Sequence, residues 1–217
     1  MSIGEIQEKL RTYHEEGKKI FVTSSFQTHS IPLLHILSRS GIPFDVLFIN
    51  TGFHFPETLA FRDEVVALLN LNLINVRPLL SKVQQKNSKG QFYFVSDPDY
   101  CCYLNKTQAL EPWLMRYDVW VNGVRADQSA VRKTMKVEEE APFNILRFHP
   151  MLDWSVRDVY RYKREYQLPE HPLDRQGYLS IGCVPCTRRM NPGDARSGRW
   201  YGLKKTECGL HTDLIAK

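Results

Sequence analysis

Five short runs, at residues 20–23, 44–49, 73–76, 118–122 and 144–148, constrain this chain of 217 residues more than anything else in it. They are rich in Val, Ile and Phe and mostly apolar from end to end, as strands buried on both faces are. Stretches with helical spacing separate them. Residues 4–17 place Ile6, Leu10 and Tyr13 on one face, and 31–37, 56–70, 100–117 and 153–165 follow. Pro56 suits the first turn of its helix. The alternation predicts an α/β fold, a single domain with a mostly parallel sheet flanked by helices. A short strand is expected at 92–95 within a polar loop over 81–100. Pro112 is expected to interrupt the helix over 100–117, and 137–142 reads as an acidic loop. Trp154 and Val159 are expected in the core. Beyond Pro169 the pattern weakens into an irregular C-terminal segment.

In open α/β sheets, ligands sit beyond the carboxyl ends of the strands, where strand order reverses. The turns to examine are Thr23-Ser24-Ser25-Phe26, Asn50-Thr51-Gly52-Phe53 and Gly123-Val124-Arg125. Ser24, Ser25, Thr28 and Ser30 make the first of these rich in hydroxyls, which suits a phosphate at a helix N-terminus. The turn lacks the glycines and lysine of a Walker loop, and such residues also serve as plain helix caps.

Hydrophobic residues at 42% and charged residues at 24% are enough for one buried core. No apolar run approaches the ~20 residues that span a bilayer, and no basic segment followed by an apolar one opens the chain. A cytoplasmic location, with reduced thiols, is therefore expected. Net charge is +5, and residues 171–206 alone hold seven Arg or Lys against two acids. That stretch (Arg175, Arg188, Arg189, Arg196, Arg199, Lys204, Lys205) could hold phosphate or sulfate. Taken alone it reads as a solvated basic face.

The five cysteines fall into three groups: Cys101 with Cys102, Cys183 with Cys186, and Cys208 alone. An odd number in a reducing compartment argues against a disulfide framework. An adjacent pair is an awkward knuckle for one tetrahedral zinc ion. An iron–sulfur cluster, with one thiolate on each iron, accepts the wider spacing. The pattern favours a cluster, with zinc second; a redox pair and buried apolar thiols are the plainer readings. Near Cys208, Lys204 and Lys205 favour the nucleophilic thiolate while Glu207 opposes it.

Residues 177–188 (GYLSIGCVPCTR), 193–200 (GDARSGRW) and 207–211 (ECGLH) resemble the assimilatory sulfonucleotide reductases. These are the adenylyl-sulfate (APS) and 3′-phosphoadenylyl-sulfate (PAPS) reductases. Thr51-Gly52 with Phe55-Pro56-Glu57-Thr58, Gly123-Val124-Arg125 with Gln128-Ser129, and residues 154–159 (WSVRDV) extend the likeness. It spans nearly everything after residue 20. The doublet with the C-x-x-C marks the iron–sulfur branch, similar to the APS reductases.

The resemblance implies an adenine nucleotide alpha hydrolase-like fold over 1–217, with a mobile catalytic tail over 201–217. It implies a 4Fe–4S cluster on Cys101, Cys102, Cys183 and Cys186, with Lys106 beside it, and Cys208 as the catalytic nucleophile. Ser24, Ser25, Phe26, Thr51, Gly52, Arg125, Arg188, Arg196, Arg199 and His211 are the implied substrate-binding residues. The implied reaction is thioredoxin-dependent reduction of APS to sulfite and AMP in sulfate assimilation, through a Cys208 S-sulfonate. PAPS, giving sulfite and adenosine 3′,5′-bisphosphate, is the alternative. The implied partners are the sulfonucleotide and a separate thioredoxin or similar dithiol donor. No nucleic acid or membrane partner is implied, and a homo-oligomer is allowed for. Asn50, where the family usually has Asp, departs from the pattern, as do Pro192-Gly193 and Tyr201-Gly202. The Thr23-Ser24-Ser25-Phe26 loop looks more like the PAPS branch. Two other classes are weighed: an ATP-pyrophosphatase such as a tRNA thiolase, whose Ser-Gly-Gly-x-Asp-Ser loop is missing here, and a zinc-binding nucleic-acid module.

Overall fold

The computed structural model describes residues 1–178, 180–189, 198–200, 205, 207 and 209–211, the last by its backbone alone. One six-stranded sheet comprises β1 (Ile20–Thr23), β2 (Asp45–Ile49), β3 (Leu73–Val76), β4 (Val119–Asn122), β5 (Glu138–Ala141) and β6 (Ile145–Phe148). Their order is β3-β2-β1-β4-β6-β5. All pairs are parallel except β5 with β6, which is antiparallel. The chain winds outward from β1 to β2 and β3, then returns to place β4 on the other side of β1. The order therefore reverses between β1 and β4, and a crevice opens at their carboxyl ends.

Successive strand residues point to opposite faces, and the core divides accordingly. On one face Val22, Val46, Phe48, Val121 and Phe148 pack with Ile6 and Leu10 of α1 (Ile3–Glu15), Leu34 of α2 (Ile31–Ser38), Phe61 of α3 (Pro56–Leu69) and Val159. On the other, Phe21, Leu47 and Trp120 pack with Leu110 and Leu114, and Leu210 rests against this second cluster. Each such residue fully buried contributes roughly 1.5–3 kcal/mol.

Between β3 and β4 lie α4 (Tyr93–Ser96), α5 (Pro98–Cys102), a π-helical turn over Tyr103–Thr107, and α6 (Gln108–Leu114). The strand expected at 92–95 is thus a helical turn. Apart from one isolated bridge between Phe92 and Lys86, no neighbouring strand meets it. Asp97 instead caps α5 through the Tyr100 amide at 2.9 Å, with Pro98 in its first turn. Nor does Pro112 interrupt its helix. It lies inside α6, which ends two residues later at Leu114, so its missing N–H is lost near a terminus.

The acidic loop expected at 137–142 is the edge strand β5. Two of its three glutamates are paired, Glu138 with Lys9 at 3.0 Å and Glu139 with Arg147 at 3.5 Å. An edge strand accommodates such charge. After the short α7 (Ala130–Lys133), the last long helix is α8 (Val156–Glu165). It starts later than its periodicity suggests because Ser155 and Asp158 form a capping box. Val159 is buried and Trp154 partly so. Among the described residues, no helix is long and apolar enough to cross a membrane.

Candidate active site

A cavity of about 620 Å³ opens where the strand order reverses. Its walls come from the ends of β1 (Thr23, Ser24, Ser25), β2 (Ile49, Thr51) and β4 (Asn122 to Arg125), and from Lys106, Gly182, Cys183, Arg199, Trp200 and Leu210. This size suits a small organic ligand.

The floor is built from short-range bonds. Trp120 Nε1 donates to Thr23 Oγ1 at 2.8 Å. Ser24 Oγ accepts from the Phe26 amide at 3.1 Å, and Ser25 Oγ lies 3.3 Å from Ser30 Oγ. Asn50 Oδ1 accepts from the Gly52 amide at 3.1 Å, folding the β2 turn back on itself. Gly52 has φ +74, a left-handed conformation that favours glycine; a Cβ there would displace the flexible end of Lys82, 2.6 Å away. Thr51 Oγ1 reaches Cys183 Sγ at 3.3 Å, joining this turn to the C-terminal segment.

Among the described residues, the buried polar atoms of the cavity wall are incompletely paired. Arg125 is 3% exposed; its Nε donates to Asp127 at 3.1 Å while Nη1 has no partner. Arg199 Nη1 donates to the Ile181 carbonyl at 3.1 Å and its guanidinium lies over Trp200, but Nε has no partner. Asn122, also 3% exposed, leaves both Nδ2 and Oδ1 unpaired. Each such buried group costs roughly 1–3 kcal/mol until something satisfies it. His29 Nδ1 is unpaired as well, and burial, then the Arg125 charge, push this imidazole down to about 4. Burial likewise lowers His54 to about 4, while its Nε2 donates to the Ile49 carbonyl at 3.0 Å. Both rings are neutral at pH 7.

Beside the cavity, Cys101, Cys102, Cys183 and Cys186 surround a smaller pocket of about 20 Å³. All four are free thiols. The π-helical turn directly after the doublet turns Asn105 back, so that its Nδ2 donates to the Cys101 carbonyl at 2.8 Å and lies 3.5 Å from Cys101 Sγ. Burial, then the neighbouring Cys102, Cys183 and Cys186, push the Cys101 thiol up to about 12, and Lys106 opposes the shift. The Cys186 thiol is raised for the same reasons. No group of three or more His, Cys, Asp or Glu among the described residues gathers as the ligands of a metal ion. The four cysteines nevertheless line one pocket, and four thiols are the donor set of a cluster with one thiolate at each corner. Lys106, Cys183, Arg199 and Trp200 form the wall shared by the two pockets.

The described residues of the C-terminal segment are fastened to the rest of the domain by three basic contacts. Arg132 donates from Nε and Nη2 to the two carboxylate oxygens of Glu207, each at 3.1 Å. Arg147 Nη2 donates to the Leu210 carbonyl at 3.3 Å. Lys205 pairs with Asp99.

Of the residues singled out from sequence, Ser24, Ser25, Thr51, Arg125, Arg199 and Lys106 line the cavity. Phe26 does not: with φ 52 it turns its ring into the core, fully buried against Phe48. Gly52 lies behind Thr51 under Lys82, and Arg188 is exposed outside both pockets. Cys208 and Arg196 are outside the described residues, as is the His211 side chain. Asn122, His29, His54 and Arg132 were not singled out. For Asn122 there was a signal, a polar residue closing a buried strand at its carboxyl end.

Residues 19–189 match the family described as the phosphoadenosine phosphosulfate reductase domain. An adenosine 5′-phosphosulfate reductase of Streptomyces coelicolor is 41% identical over 197 residues, covering 90% of this chain and 83% of that protein. A phosphoadenosine 5′-phosphosulfate reductase of Gloeobacter violaceus is 40% identical over 200 residues, covering 90% and 83%. Among solved structures, a phosphoadenylyl-sulfate reductase of Candida auris shares the fold, with a TM-score of 0.68 and 24% identity over 85% of this chain and 89% of its own. A match through the sheet and the C-x-x-C, joined to relatives near two-fifths identity along most of their length, places the chain in the phosphoadenosine phosphosulfate reductase family.

Proposed function

We propose that the large cavity binds adenylyl sulfate and that the chain reduces it to sulfite and AMP. One observation carries this reading. Glu207 and Leu210, on either side of Cys208 in sequence, are fastened by Arg132 and Arg147 at a cavity whose wall offers unpaired arginine donors. An anionic substrate and a cysteine nucleophile would meet there. Several relatives named as APS reductases support the substrate.

In this reading Arg125 and Arg199 take the phosphosulfate oxygens, with Arg196 in the same role. The Cys208 thiolate attacks the sulfur. The bond from sulfur to the bridging oxygen breaks, and AMP leaves with that electron pair. Arginines already in position stabilise the charge on the leaving phosphate. The product is a Cys208 S-sulfonate. A thiolate of a thioredoxin-like donor then attacks Cys208 Sγ and sulfite departs with the S–S electron pair. The donor's second thiol resolves the mixed disulfide, so the donor supplies both electrons. Residues 201–217 would act as a catalytic tail that admits the donor, and a reducing cytoplasm suits that donor.

The four cysteines are assigned to a 4Fe–4S cluster with Lys106 beside it. Bound, the cluster would tie the doublet to the C-x-x-C and fix the charge of the shared wall.

The test is sulfite release from APS and from PAPS with reduced thioredoxin, for the wild-type chain and Cys208→Ser. Sulfite from APS, lost in the variant, is expected. An active variant would remove Cys208 from its role. Faster turnover of PAPS would favour the second reading, which the Gloeobacter relative supports.

A further inference from the structure

The unpaired atoms of the cavity sort into two kinds. Arg125 Nη1 and Arg199 Nε are donors only. Asn122 presents an unpaired donor, Nδ2, beside an unpaired acceptor, Oδ1. It closes β4 opposite Thr23 of β1, where the strand order reverses, and lines the cavity. Thr23 Oγ1 accepts from Trp120 Nε1, and no hydrogen bond joins it to the Asn122 amide.

A phosphosulfate at neutral pH offers only acceptors. It could take Nδ2, but it would leave Oδ1 facing another oxygen. A ligand group that satisfies both atoms must donate and accept side by side. The nucleoside half of the substrate carries two such groups: a ribose hydroxyl, and the amino edge of adenine, which an Asn amide matches with two hydrogen bonds.

We infer that Asn122 is a specificity-determining residue that binds the nucleoside half of the substrate through a paired donor and acceptor. The inference rests on the functional reading above and adds an orientation to it. The neutral half of the nucleotide lies in the β1–β4 crevice, and the anionic half lies toward Arg125 and Arg199. In the free protein the amide is buried and unsatisfied, so it weakens the fold and is retained for the ligand.

The test uses the full chain, purified anaerobically. Binding of AMP, IMP, 2′-deoxy-AMP and 3′-deoxy-AMP is measured for wild type and for Asn122→Leu, a change of similar shape. The variant is expected to bind AMP about tenfold more weakly, the loss of one to two neutral hydrogen bonds. Its thermal midpoint without ligand is expected to equal or exceed that of wild type, because two unsatisfied atoms are gone. A purely structural asparagine would lower the midpoint instead. One analogue should bind wild type more weakly than AMP yet bind the variant as AMP does. IMP in that role identifies the base, and a deoxynucleotide identifies a hydroxyl. Asn122→Ala, which adds no bulk, should repeat the pattern if the leucine folds poorly. AMP binding unchanged in both variants, or analogue losses identical in wild type and variants, overturns the inference alone. Wild-type protein that binds no AMP overturns the functional reading and the inference together.

Discussion

Arg132 and Glu207 face each other through two parallel hydrogen bonds of 3.1 Å, with the carboxylate side chain 2% and the guanidinium side chain 10% exposed. A fork-to-fork pair of this kind fixes direction as well as distance. It connects the short helix α7, just after the β4 turn, to the C-terminal segment.

Breaking the pair from either side strands a buried charge. Arg132→Ala or Glu207→Ala should destabilise the chain by about 3–5 kcal/mol, as removal of one partner of a buried pair does. Urea denaturation measures this. The double variant should lose less than the sum of the singles. Strictly additive losses would mean that the two side chains do not interact in solution.

Gly182 is bound to Arg199 by space. A Cβ on Gly182 would lie 2.4–2.6 Å from the Arg199 guanidinium, and its φ is not in the left-handed region. Gly182→Ala should therefore fold but displace Arg199, weakening AMP binding by about tenfold, the scale of one charge-assisted hydrogen bond. Isothermal titration reads the change. Unaltered affinity would show that Arg199 does not hold the nucleotide from this position.

Acid should destabilise the fold through His171. Its ring is fully buried; Nδ1 accepts from the Leu173 amide at 3.2 Å and Nε2 donates to Thr58 at 3.0 Å, which is the neutral form. Burial lowers it from the ordinary 6.5 to about 4. Between these values the unfolded chain binds the proton and the folded chain does not. The contribution is thus complete above pH 6.5 and is lost as pH falls toward 4, by roughly 1–3 kcal/mol. Unfolding curves across pH 4–7 for wild type and His171→Gln should converge at the acid end. A His171 resonance titrating near 6.5 would refute the assignment.

Metal content separates the readings of the four-thiol pocket. Protein purified without oxygen is expected to be brown and to carry about four irons per chain, as a four-cysteine cluster does. Cys101→Ser and Cys186→Ser should each lower the iron content. A colourless chain with one zinc would exclude the cluster.

The central strands could be read directly, because 20–23, 44–49 and 118–122 are buried on both faces and mostly apolar, with Thr23, Asp45, Asp118 and Asn122 the exceptions. β5 could not. Its three glutamates pair along β6, where Arg147 faces Glu139, and Lys9, remote in sequence, pairs with Glu138. The turns that make the cavity were found from topology alone, since Thr23, Thr51 and Arg125 all follow strands at the carboxyl edge. Phe26 lies outside the cavity because its left-handed backbone, hidden in a polar loop, sends its ring inward. Arg132 carried no local mark, as its partner lies 75 residues away. The cysteine groups were legible from spacing. That the two groups line one pocket involves the Thr51–Cys183 contact and the π-helical turn after the doublet, which no periodicity encodes.

Leu210 has a consequence for the speed of the enzyme. It completes the apolar cover over Phe21 and Trp120, which on that face is otherwise supplied chiefly by α6. In the proposed reaction, the stretch of chain that would yield to a dithiol donor includes a residue packed against the hydrophobic interior. Leu210 is half-buried, so its leaving costs at most about 1.5–3 kcal/mol, the figure for a fully buried leucine, and the Arg132–Glu207 pair adds to it if it parts as well. With the leucine alone displaced, the undocked state would hold at least roughly one molecule in a hundred. Turnover would then be paced by how often the domain lets go of its own core.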